Sequence, residues 1–161
     1  MGFDISTLIT DRTQEDVAWM QELAAKIRAG TASNEELTEW NDATMKGAYN
    51  YTDLNRVGAA MQYLAERFTR FGYVVDIAPV VDWMEADTPS TTDMALYLSN
   101  LAVLRKTFVV MQSTPEVPSD TENLTYREAN DIEKILEDID LLLTRASLAW
   151  FYSGDIFLGE V

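Results

Sequence analysis

Glu133 and Glu137 stand four residues apart in a segment rich in Ile and Leu, a spacing that puts two carboxylates on one helix face. Di-metal carboxylate helices use this arrangement, but they add Glu-x-x-His partners from neighbouring helices. The chain has no histidine and no cysteine. It therefore lacks the commonest general base, the commonest metal ligand and every thiolate. Ser-His-Asp and Cys-His mechanisms are excluded within the chain. A glycosidase needs only two carboxyls, yet 27 acidic residues make some such pair inevitable and uninformative. Glu133, Glu137, Asp138 and Asp140 read instead as the solvated sides of a helix. No calcium loop and no glycine-rich phosphate loop is present, since Gly47, Gly58 and Gly72 stand alone. Arg105-Lys106 and Lys134 do not form a basic patch. The expectation is a non-catalytic chain with no cofactor and no metal.

Recognition chemistry is a better match for one stretch. Tyr49 and Tyr51 lie in a short loop that runs into Asp53-Leu54-Asn55-Arg56-Val57. Tyr and Arg are enriched in binding hot spots, so Tyr49, Tyr51, Asn55 and Arg56 form a candidate interaction surface. Helix initiation explains the same residues: Thr52 caps, Leu54 and Val57 pack, and Arg56 pairs with a nearby acid. A second candidate lies at the end, where Tyr152, Ile156 and Phe157 sit in an apolar, glycine-punctuated segment. Read as a strand, that segment either adds to another chain or folds back on its own molecule.

Charge narrows the partners. Against 27 acidic residues stand 12 basic ones, a net charge of −15 in 161 residues. Such a field repels phosphate backbones and anionic lipid, so nucleic acid and membrane are not expected partners. No apolar run reaches the ~20 residues of a membrane span, and Met1 to Thr13 has no signal-peptide pattern. Hydrophobic residues make up 47%, enough for one core.

The elements that would position these residues follow from periodicity. The fold class predicted is mainly α: one domain, a compact bundle of about five helices with minor extended elements at about 73–83 and 151–161, after an N-terminal arm at 1–12. A first helix from about Thr13 to Ala29 opens on a capping box and faces inward with Val17, Met20, Leu23, Ala24 and Ile27. A short second helix, about Asn34 to Met45, follows the Ser33 cap with Leu37 and Trp40 inward. The third, about Asp53 to Phe71, carries Leu54, Val57, Met61, Leu64, Phe68 and Phe71 at alternating spacings of three and four, a seam of about two and a half heptads. Gly58 beside the seam would admit a close-packed helix. Tyr73 to Trp83 is β-branched and aromatic and contains Pro79, so it reads as an edge strand. A fourth helix, about Thr92 to Val110, and a fifth, about Tyr126 to Trp150, complete the core. The stretch from Ser113 to Asn123 reads as a solvated loop. The seam is short for a sustained coiled coil, so packing within one chain is expected and homo-oligomers are not required.

Four stretches together carry a resemblance: Thr10-Asp11-Arg12-Thr13 with Asp16-Val17, the long run from Lys46 to Val57, Leu124 to Asn130, and Trp150 to Asp155. With them, nearly the whole chain resembles an uncharacterised family encoded by phages and prophages of Gram-positive, often intestinal, bacteria. Members are associated with tail or other minor structural proteins. The resemblance implies a virion-associated, tail-region structural or adaptor domain with other phage structural proteins as partners, located in the virion or in the bacterial cytoplasm before assembly. It brings no catalytic residues. The alternative from the residues is a ligand- or carbohydrate-binding module built on the Tyr49 and Tyr51 loop, and after it a carboxylate-only hydrolase.

Overall fold

The computed structural model describes residues 2–157, with side chains described to residue 149. A single 3-10 turn, Ile5–Thr7, precedes five helices: α1 (Gln14–Ala29), α2 (Asn34–Asn41), α3 (Tyr51–Arg70), α4 (Thr91–Thr107) and α5 (Tyr126–Phe157). Helices α1 to α4 each open on a capping box, set by Thr13 with Asp16, Ser33 with Glu36, Asn50 with Asp53, and Ser90 with Asp93. Each box satisfies amide donors that the first turn leaves without a partner. Thr125 and Glu128 exchange the same bonds at the start of α5. Gly30 ends α1 in the left-handed conformation, at φ 69°.

The core lies between α3, α4 and α5. Val57, Met61, Leu64 and Phe68 from α3 meet Leu101 and Leu104 from α4 and Ile132, Ile135, Leu136 and Leu143 from α5, all sealed from solvent. The predicted seam on α3 is this inward face, and it packs within the chain. Burying one such aliphatic side chain stabilises by roughly 1.5–3 kcal/mol.

The three core helices run parallel. Arg56 on α3 meets Glu133 on α5, and further along Arg67 meets Asp140 and Thr144. Tyr49, just before α3, meets Tyr97 on α4, and Phe68 meets Phe108 at 6.2 Å between ring centroids. Parallel neighbours cannot be joined by short turns, so two long segments carry the chain back.

The first return segment is the stretch predicted as an edge strand. Among the described residues no strand is formed. A strand needs a partner backbone, and only helices flank Tyr73 to Trp83. Side-chain amides substitute for the missing ladder. Asn55 donates to the Trp83 carbonyl at 2.9 Å and accepts from the Trp83 amide at 2.8 Å, while Asn100 accepts from the Ala78 amide at 3.4 Å. Val75, Ile77, Pro79 and Trp83 turn toward the helices, and Val74, Asp76, Ala78 and Asp82 face solvent. Gly58 receives this strap rather than a helix. A Cβ there would stand 2.3 Å from the Val80 carbonyl oxygen.

The second return segment holds Pro115 and Pro118, and it is anchored rather than wholly solvated. Thr114 is buried and donates to Asp138 at 2.8 Å. Arg105 reaches the Pro115 carbonyl at 2.7 Å.

Helices α1 and α2 form a hairpin, with Lys26 bonded to Glu36 at 2.7 Å and the Trp19 indole donating to Glu39 at 3.1 Å. Leu37, predicted inward, is exposed because α2 ends after two turns and only Trp40 and Met45 turn toward the body. The loop after α2 packs against the first turn of α1 at Gly47, where a Cβ would fall 2.0 Å from the Asp16 carbonyl oxygen.

The C-terminal segment departs from the extended reading. Residues 151–157 continue α5 as helix. Propagating an existing helix adds one hydrogen bond per residue fixed. Gly154 costs only about 1 kcal/mol against Ala inside one, so it does not force a stop. The side chains of Tyr152, Ile156 and Phe157, and the backbone of 158–161, lie outside the described residues. No helix of the described residues is long and apolar enough to cross a membrane.

Candidate functional site

Four charged side chains meet where the N-terminal arm crosses the starts of α3 and α5. Arg12 from the arm donates from one Nη2 to Asp53 at 2.8 Å and to Glu133 at 2.7 Å, and from Nη1 to the Ile9 carbonyl at 2.7 Å. Arg56, one turn along α3, donates to Asp53 at 2.5 Å and twice to Glu133, at 3.1 and 2.7 Å. The Ile9 amide also donates to Glu133 at 2.6 Å. Asn130 clasps the Arg12 backbone from both sides, accepting from its amide at 3.0 Å and donating to its carbonyl at 2.9 Å.

Two guanidiniums and two carboxylates make this cluster neutral. Glu133 is fully buried, and the Arg12 side chain is 2% exposed. Burial opposes the charge on Arg56, but Glu133 and Asp53 outweigh it and raise its pKa above the usual arginine value. Glu133 was expected on a solvated face with Glu137. The structure separates them, with Glu133 inside the cluster and Glu137 beside Lys134 at 2.8 Å. Asp138, also expected outside, is buried on Thr114.

Next to the cluster, the hydroxyls of Tyr49 and Tyr97 lie 2.5 Å apart. The Arg12 guanidinium stands over the Tyr49 ring, 5.3 Å from its centroid. Burial, reinforced by Glu133, pushes the Tyr49 hydroxyl well above the ordinary tyrosine range. Burial does the same for Tyr97, with Tyr49 as the next cause. Both remain neutral at physiological pH.

Outside this polar floor opens a cleft of about 1000 Å³, between α1, the loop before α3, the end of the strap and the first turn of α5. Its wall is mostly apolar. Trp40, Tyr51, Trp83 and Tyr126 supply half-buried rings. Met20, Met45, Met84 and Met94 supply thioethers, four of the seven methionines in the chain. The cations of the wall are engaged: Arg12 in the cluster, and Lys46 on Asp11 at 2.7 Å. Glu85 and Asp87 stand at the mouth.

The predicted surface residues divide. Tyr49 and Tyr51 both line this cleft, Tyr51 with its ring half-exposed and Tyr49 with its hydroxyl spent on Tyr97. Asn55 and Arg56 turn elsewhere, Asn55 to the strap and Arg56 to the cluster. Trp40, Trp83 and the four methionines were not singled out as site residues from sequence. Trp40 and Met20 carried an inward-facing helical signal, but Trp83 and Met84 had none, because only the course of the strap brings them here.

Three separated stretches of the chain converge at this place. Arg12, Asp53, Arg56 and Asn130 build the floor, while Gly47 and Tyr49 close its side. No family model, curated protein or solved structure matches the chain.

Proposed function

We propose that this chain is a non-catalytic structural or adaptor domain of a phage tail apparatus, and that it works by packing its cleft against another phage protein. The carrying observation is the cleft itself: about 1000 Å³ lined by rings and thioethers, beside ionic groups already neutralised by one another. A wall of this kind offers contact area, which is what a docking partner uses. The buried carboxylates Asp53 and Glu133 are each engaged by two guanidiniums, an arrangement that supports the structural reading. The tail assignment rests on the resemblance, three of whose four stretches supply residues of the cleft or its floor. On this reading the protein resides in the virion, and in the bacterial cytoplasm before assembly.

Mass spectrometry of particles induced from a lysogen carrying the gene tests the assignment. The protein should be found with the tail proteins. Its absence, alongside detected tail proteins of similar abundance, would defeat the reading.

The half-buried rings of Tyr51 and Trp40 favour one second reading, a carbohydrate-binding module. Calorimetric titration with cell-wall oligosaccharides decides it, because a carbohydrate module binds them and a protein-docking domain does not.

A further inference from the structure

We infer that the cleft receives a cationic amphipathic helix presented by the partner protein, an inference that rests on the docking role proposed above. Three observations carry it. Among the described residues there is no strand, so they offer no sheet edge for a partner to extend. Contact must come from side chains in a groove. The cleft, at about 1000 Å³, has room for two turns of helix about 10 Å across and 10.8 Å long, roughly 850 Å³.

The chemistry of the wall is the second observation. Met20, Met45, Met84 and Met94 line the cleft together with Tyr51 and Trp83. Unbranched thioether side chains adapt to the ridges of an apolar helix face, and methionine-rich grooves serve that purpose. Met84 is 68% exposed, an apolar side chain standing free at the mouth.

Charge is the third. Glu85 and Asp87 border the mouth, Lys46 is neutralised by Asp11, and the whole chain carries −15. A helix entering with Lys or Arg on its outer face meets opposite charge at the rim, whereas an acidic helix is repelled. The apolar face supplies the contact and the basic face supplies orientation.

The test uses the full chain with its methionine methyls ¹³C-labelled. The probe is a synthetic 18-residue peptide of Leu and Lys at helical spacing. The control replaces every Lys with Glu. The Leu/Lys peptide is expected to shift the methyls of Met20, Met45, Met84 and Met94 and to leave Met61, sealed in the core, unmoved. Met84→Lys and Glu85→Lys, both at exposed positions, should each weaken binding roughly tenfold while the circular dichroism melt stays unchanged.

No methyl shift at millimolar peptide overturns the inference. So does equal binding of the Leu/Glu control, or binding that leaves the four cleft methyls still. A chitooligosaccharide that moves those methyls when the peptide does not overturns it in favour of a sugar site. Absence of the protein from particles would defeat the tail assignment and leave this result standing, so the two failures are distinguishable.

Discussion

Glu133→Gln is the most informative single change. It keeps the shape of the side chain and removes one charge from a place with no access to water. In the native protein Glu133 accepts four hydrogen bonds at 2.6 to 3.1 Å, from Ile9, Arg12 and twice from Arg56. The amide can accept from some of these donors, but its own NH₂ must face a guanidinium. Asp53 is then left to balance two arginines, one of them with a side chain 2% exposed. Breaking one partner from a buried ionic group costs about 3–5 kcal/mol. At a urea slope of about 2 kcal/mol per molar, the unfolding midpoint falls by roughly 1.5–2.5 M. Equilibrium urea denaturation followed by tryptophan fluorescence measures it. The double variant Arg12→Met with Glu133→Leu removes one charge of each sign and leaves Asp53 with Arg56. It should cost less than the sum of its single changes, by about 1–3 kcal/mol. A Glu133→Gln cost below about 1 kcal/mol, or strict additivity in the cycle, would refute the view that these four groups act as one neutral unit.

Leu64→Ala and Ile139→Ala, at positions 0% and 1% exposed, should each cost about 2–5 kcal/mol in the same assay. Gly58→Ala should destabilise by about 1–3 kcal/mol, because its Cβ can be relieved only by moving the strap backbone. Asn55→Ala should cost about 2 kcal/mol and shift Trp83 emission, since it removes both bonds that hold Trp83 in place. Raised folded pKa values at Tyr49 and Tyr97 mean their contribution to stability is complete below about pH 10, where unfolded tyrosine begins to ionise, and is lost as pH rises toward the folded values. Ultraviolet titration should show two tyrosines ionising later than the rest, and the thermal midpoint should fall above pH 10. Tyr97→Phe should remove the late step of Tyr97.

The helices were legible because their signals are local. The alternating three-and-four spacing from Leu54 to Phe68 marks the inward face of α3, and Ser33, Thr13 and Ser90 mark helix starts with the acid three residues on. At α3 the cap is Asn50 rather than Thr52, because Asn50 and Asp53 exchange the bonds. The floor of the cleft was not legible. Arg12 and Glu133 are 121 residues apart, and a Glu on a helix between other acids reads as solvated until an arginine from the arm is known to cover it. Asn55 shows the same limit. Its type and position fit a surface, and only the return of Trp83, 28 residues later, turns it into a clamp. Tyr51, which lines the cleft, drew notice from sequence because aromatics next to a helix start leave a local trace.

The parallel arrangement of α3, α4 and α5 has a kinetic consequence. Helical proteins of this size usually join antiparallel neighbours, form mostly local contacts and fold within microseconds to milliseconds. Here Arg56 finds Glu133 across 77 residues and Tyr49 finds Tyr97 across 48. Each contact requires closing a long loop before the core rewards it. The chain should therefore refold on the slower timescale of mixed α/β domains, with helix content appearing before the Tyr49–Tyr97 pair forms. During that interval the seam of α3 stands open, so the newly made chain depends on meeting few apolar surfaces other than its own α5.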